Sequence, residues 1–215
     1  MRFIRDAFIV VWFIHSCAWS TDRLTVELLE AAQAGDNARV QNLLDAGANV
    51  NAKGKGGMTP LLVAVTNNHA DTVKLLLDKG AIADARGDRK ATPLFLAARE
   101  GHDSLALALI AAGADVNTSD IDGWTPLLRA ARGNHATTVR LLLDHGANVD
   151  HETSSNYTAL MSAARWGCAD VVPVLLAAKA NVSLIGKDGR TALAWAKESK
   201  VQIIIDALVN AGAKR

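Results

Sequence analysis

Two cysteines, four prolines and one tyrosine are all that this 215-residue chain contains of those types. The cysteines are Cys17 and Cys168. If an N-terminal leader is removed, Cys168 stands alone, no internal disulfide can form, and stability must come from packing. An excess of either charge is missing too: 23 Lys and Arg face 22 Asp and Glu, a formal net charge of +1. Arg2, Arg5 and Asp6 carry that +1 within residues 1–18, so the remainder is neutral. A neutral body argues against nucleic acid as a partner, because binding a polyanion leans on net positive surface. No Gly-x-Ser-x-Gly and no His-Glu-x-x-His occurs, which removes two common signatures of catalysis. Gly54-Lys55-Gly56-Gly57 lacks the upstream glycine and the Lys-Ser/Thr ending of a phosphate loop; it reads as a flexible hairpin tip. The chain is therefore expected to be no enzyme, with no catalytic residues and no cofactor.

No apolar run near the N-terminus approaches the ~20 residues needed to span a bilayer. Arg2 and Arg5 precede the short run from Ala7 to Ile14, and Ser16-Cys17-Ala18 come after it. This is the pattern of a secretory signal peptide cleaved after Ala18. Residues 1–18 are expected to be a signal and 19–23 a short linker. The mature protein is then exported, periplasmic or secreted, with no stable membrane insertion. The alternatives are an uncleaved or lipid-bearing membrane anchor, a misassigned start, and an apolar segment packed on the adjacent part of the domain.

What the chain does contain is repetition. Thr59-Pro60-Leu61-Leu62, Thr92-Pro93-Leu94-Phe95, Thr125-Pro126-Leu127-Leu128, Thr158-Ala159-Leu160-Met161 and Thr191-Ala192-Leu193-Ala194 start 33 residues apart. A second phrase recurs in phase, as in Leu75-Leu76-Leu77-Asp78-Lys79-Gly80-Ala81 and Leu141-Leu142-Leu143-Asp144-His145-Gly146-Ala147. A fixed period of this length marks stacked repeats. Within one unit, Thr59 is suited to cap a helix and Pro60 to occupy its first position. Leu61, Ala64 and Val65 then share a face. Asn68 and His69 break the helix, Asp71 is expected to cap a second one with Val73, Leu76 and Leu77 inward, and Gly80 to end it in a left-handed residue. Each unit is thus helix, turn, helix and a projecting turn.

The phrases Gly-x-Thr-Pro-Leu, Ala-Ala-x-x-Gly-His and Leu-Leu-x-x-Gly-Ala-Asp-Val-Asn resemble the ankyrin repeat, whose period is also 33 residues. The resemblance, to the small exported bacterial type, covers residues 24–213. It implies an all-α ankyrin-repeat solenoid of about six helix-turn-helix units with short β-hairpin or turn tips. The units fall at about 24–53, 54–86, 87–119, 120–152, 153–185 and 186–213, with atypical end units to meet water. The family's histidine after Thr-Pro-Leu is replaced by Leu62, Phe95, Leu128, Met161 and Ala194, so these units should rely more on apolar contact. Unit five departs furthest. Pro173 lies in the first turn of its second helix, where a missing amide is tolerated. Lys179 takes the glycine position and, if left-handed, should cost about 1 kcal/mol.

His69, His102 and His135 recur at 33 residues, so neighbours should lie ~10 Å apart, about one helix-packing distance. Zinc ligands sit at about 2 Å; the three histidines are read as turn formers. Asp144, His145, Asp150, His151 and Glu152 are rich in ligand types but lack a metal spacing, and read as a solvated loop. No metal site is expected. Cys168 replaces the turn histidine of unit five and reads as inert filler.

Recognition is the better reading. The resemblance implies that tips and first helices form a concave face that binds another protein, here as a monomeric scaffold. Carried over to this sequence, the positions before the capping threonines are Met58, Ala91, Trp124, Tyr157 and Arg190, of which all but Ala91 are expected contacts, with Arg99, Arg132, Arg165 and Trp166 after the helix motif. Arg129 is a weaker candidate, because its position faces the inter-repeat seam. Trp, Tyr and Arg dominate binding hot spots. The rival reading is an envelope-localised regulator, membrane-tethered or secreted, that blocks or stabilises an enzyme.

Overall fold

The structure, a computed structural model, describes residues 23–214. The expected signal, residues 1–18, lies outside the described residues. The chain divides into two compact units, the first ending at Ile82 and the second beginning at Ala83. Among the described residues the fold is all-α, with twelve α-helices and no strand.

In the first unit, α1 is described from residue 23 to 34, followed by α2 (Asn37–Asp45), α3 (Pro60–Thr66) and α4 (Ala70–Asp78). Its core is Leu28, Ala31, Ala32, Val40, Leu61, Leu62, Ala64, Val65, Val73 and Leu76, each 1% exposed or less. The second unit runs α5 (Pro93–Glu100), α6 (Asp103–Ala111), α7 (Pro126–Arg132), α8 (Ala136–Asp144), α9 (Ala159–Trp166), α10 (Val171–Ala177), α11 (Ala192–Ser199) and α12 (Gln202–Asn210). These stack as four successive pairs. The first helices of the pairs pack in sequence, α5 on α7, α7 on α9 and α9 on α11, and the second helices form a parallel row.

The first helix of every pair from α3 onward starts on the same chemistry. Thr59, Thr92, Thr125, Thr158 and Thr191 accept the amide of the residue three positions on, at 3.2–3.4 Å. Such a cap is worth ~1 kcal/mol. Leu62, Phe95, Leu128 and Met161, where the family has histidine, are buried. In these four units apolar packing fills that position, whereas Ala194, in the last, is only half-buried.

The second helix starts differently from the sequence expectation. Asp71 is not the cap of α4: His69 stands at the N-cap without a side-chain cap bond. The turn leaves Ala70 as the first helical residue and puts Asp71 in the first turn, where its charge meets the positive end of the helix dipole. Leu77 is half-buried, and the inward position is taken by Thr72, whose hydroxyl donates to Asn37 Oδ1 at 2.6 Å. Thr138 does the same to Asp103 in the second unit. A repeat that looks apolar from its leucines therefore also carries a buried, satisfied threonine.

The tips are turns rather than β-hairpins. Each is closed by one backbone bond across five residues, as in Gly54 N–H to Met58 O and Asp120 N–H to Trp124 O. That is too short to extend a ladder. Neighbouring tips of the second unit are joined instead: Ile121 donates to Arg89 O, Ser154 to Asp122 O and Lys187 to Ser155 O, at 3.0–3.1 Å. Gly54-Lys55-Gly56-Gly57 is a tip with both Gly56 and Gly57 left-handed, which explains its glycines without a phosphate.

Candidate functional site

Trp124 and Tyr157 sit at the same position of successive tips, and Arg132 and Arg165 at the ends of the first helices α7 and α9. The stacking of those helices brings the four together. With Trp166 and Trp195 they line a cleft of about 640 Å³. The guanidiniums and rings alternate along it. Arg132 lies 5.8 Å from the Trp124 centroid and 4.6 Å from that of Trp166. Arg165 lies 5.9 Å from Trp166 and 4.3 Å from Trp195, and Arg190 also lies 4.3 Å from Trp195. Tyr157 joins the rings, 6.0 Å from Trp124 and 6.1 Å, edge-on, from Trp195. Each cation–ring contact contributes about 0.5–1 kcal/mol at an exposed site. The set fixes side chains that would otherwise be free to rotate.

The tips are held from beneath. Asp120, almost wholly buried, accepts the backbone amides of Asp122 and Trp124 on Oδ1, both at 2.9 Å. One repeat on, Thr153 Oγ1 takes that job, accepting from Ser155 and Tyr157 amides. Arg129 supports the ladder from the seam: its guanidinium stacks on Phe95 and Trp124 at 4.8 and 4.5 Å and donates to Asp120. Burial pulls its pKa down and Asp120 opposes the shift. The Tyr157 hydroxyl, which donates to Met161 O at 3.3 Å, is pushed up to about 12, chiefly by burial, with the Arg165 guanidinium working the other way. The phenol is therefore neutral at any physiological pH.

Six of the eight positions expected from the sequence, Trp124, Tyr157, Arg132, Arg165, Trp166 and Arg190, join this ladder. Two do not. Arg99 is drawn to Glu100 at 2.6 Å, because its own repeat carries Ala91 rather than an aromatic at the tip. Met58 belongs to the first unit, where it lines a separate groove of about 410 Å³ with Leu29, Lys55 and Val63. Trp195 and Phe95 are not among the expected contacts, and Arg129 lies at the seam as its register suggests. Arg129, Ser162 and Trp195 occupy one repeat position, 33 residues apart, and that register is the signal that would have found Trp195.

The turn histidines join successive repeats. His69 Nε2 bonds to Gln33 O at 2.9 Å and His135 Nε2 to Arg99 O at 3.1 Å. Cys168 keeps the link: buried, it donates its thiol to Arg132 O at 3.4 Å. Burial pushes the thiol pKa up, the opposite of a reactive cysteine. His145 and His151 are likewise bonded to the Leu141 and Gly123 carbonyls. Among the described residues no group of three or more His, Cys, Asp or Glu is arranged to hold a metal ion, and no helix is long and apolar enough to cross a membrane.

Comparison with protein families gives a match to the model for ankyrin repeats, three copies, over residues 28–120 and 107–186. No curated protein matches the chain.

Proposed function

From the premise that this chain belongs to the ankyrin-repeat family, whose members are generally protein-interaction modules, we propose that it is a non-catalytic scaffold. It docks a partner protein on the face formed by Trp124, Tyr157, Trp166, Arg132, Arg165 and Arg190. One observation carries the choice of face. Trp166 is 53% exposed although it is the largest kind of side chain, and the Arg132 and Arg165 guanidiniums hold it in place. An ordered, exposed tryptophan loses little conformational freedom on binding, which lowers the cost of association. Residues 1–18 favour a place of work outside the cytoplasm.

The test is crosslinking in the native host, with mass spectrometry of what is bound to a C-terminally tagged chain. The Trp124→Ala/Arg132→Glu/Tyr157→Ala variant runs beside it, its fold checked by circular dichroism. A partner held by the parent chain and lost by a folded variant supports this face. Equal recovery from both sinks it.

A further inference from the structure

Arg132 and Arg165 differ from the other arginines of their face. Arg89 pairs with Asp122, Arg99 with Glu100, Arg129 with Asp120, and Arg190 with Asp188 and Glu198. Arg132 and Arg165 are exposed and have no carboxylate partner among the described residues. The guanidinium carbons of both lie over Trp166, 4.6 Å from its ring centroid for Arg132 and 5.9 Å for Arg165, and Arg165 lies closer still, 4.3 Å, to Trp195. A guanidinium beside a ring remains a planar fork of N–H donors matched to a carboxylate. Lys187 on the same cleft also has no carboxylate partner among the described residues, while the carboxylates lining the cleft, Asp122 and Asp188, are already engaged by Arg89 and Arg190.

Two kinds of occupant fit badly. A cationic ligand needs an aromatic face free of cations, and Trp124, Trp166 and Trp195 each carry two or more guanidiniums. Stacked nucleobases compete for the same faces, and the near-zero net charge of the chain gives a polyanion no general attraction.

Resting on the reading that this face docks a protein, we infer that the partner segment is acidic. Two of its Asp or Glu carboxylates seat on the N–H donors of Arg132 and Arg165, the Arg165 guanidinium being shared with the Tyr157 hydroxyl. Lys187 adds attraction as the segment approaches, and Trp166 packs against the chain between the two carboxylates.

The test is calorimetric titration of the full chain with hexaglutamate blocked at both ends. Blocked hexaglutamine, blocked hexalysine and an oligothymidylate are the comparators. Hexaglutamate binds, and binding weakens as salt rises, because exposed charges are screened. Arg132→Gln and Arg165→Gln each weaken it roughly tenfold, the loss of a charge-assisted contact. Arg165→Lys restores only part, since lysine keeps the charge and loses the fork. Hexaglutamate binding unchanged in both glutamine variants overturns the inference, as does no binding at all. Tighter binding of oligothymidylate, lost in the same variants, also overturns it and assigns the arginines to nucleic acid. The two levels separate in the host. A crosslinked partner lost in Trp124→Ala/Tyr157→Ala but kept in Arg132→Gln/Arg165→Gln overturns the acidic chemistry alone. A partner kept in both overturns the face itself.

Discussion

Arg129 donates from Nη2 to Asp120 Oδ2 at 3.1 Å, while the other carboxylate oxygen holds the Trp124 amide. The Asp120 side chain is 2% exposed and that of Arg129 20%. One ion pair thus anchors both the tip and the seam beneath the aromatic ladder. Removing one member of a buried pair strands the other. Asp120→Ala should cost about 2 kcal/mol, discounted for the partial exposure of Arg129. Asp120→Thr copies Thr153 of the next repeat, keeps an acceptor for the tip amides and should cost about half as much. Urea midpoints with an unchanged slope measure both; equal losses would show that the tip bonds contribute nothing.

Unit five should be the weak joint of the second compact unit. Lys179 is left-handed, at φ 64°, where the equivalent Gly146 has φ 86°. Asn117 both accepts from Asn148 N–H and donates to the Gly146 carbonyl, whereas Asp150 accepts from Asn181 N–H and has no amide to donate. Lys179→Gly should stabilise by about 1 kcal/mol, raising the melting temperature by roughly 2–4 °C. Asp150→Asn should add a smaller gain. No rise with Lys179→Gly would mean that the strain is relieved elsewhere.

Ser162 is fully buried in α9 and its hydroxyl has no hydrogen-bond partner among the described residues. Arg129 Nε and Trp195 Nε1, at the same repeat position in α7 and α11, are unpartnered too. Ser162→Ala should therefore stabilise by about 1 kcal/mol, from the desolvated hydroxyl and the better helix former. Destabilisation would instead reveal a buried water on the Ser162 hydroxyl. Thermal melts decide between them.

Tyr157 is the one tyrosine of the chain, so phenolate absorbance reports it alone. Its midpoint should fall at about 12 in the native protein and near 10 in denaturant. The folded value is raised, so this contribution to stability is complete below the unfolded pKa and is lost as pH rises through the folded one. A native midpoint near 10 would show that the ring is not buried against Trp195.

The parts legible in sequence were the local ones. Thr59 and its repeats cap through bonds to a residue three positions away, and Gly80 ends a helix by its own conformation; neither depends on a neighbour. Tip residues such as Trp124 and Tyr157 were legible because the period puts them in phase. Trp195 was missed because it stands at the seam register of Arg129 and Ser162 rather than at a tip, and Arg165 and Arg190 reach it from α9 and from the tip before α11. Arg99 shares the register of Arg132 and Arg165 but pairs with Glu100, since without an aromatic tip in its own repeat the adjacent carboxylate is the better partner. Asp71 misled for the opposite reason: it is a good cap by type, but it lies two residues past the N-cap His69.

The most direct test of the docking face places a photocrosslinking side chain at Ser154, which lines the cleft, and another at Arg140, exposed on the second-helix row. Neither residue has a role in the ladder, so both variants should fold and bind. The face formed by Trp124, Arg132, Tyr157 and Arg165 predicts a partner crosslink from Ser154 and none from Arg140. A crosslink from Arg140 alone would contradict it and put the partner on the opposite helices.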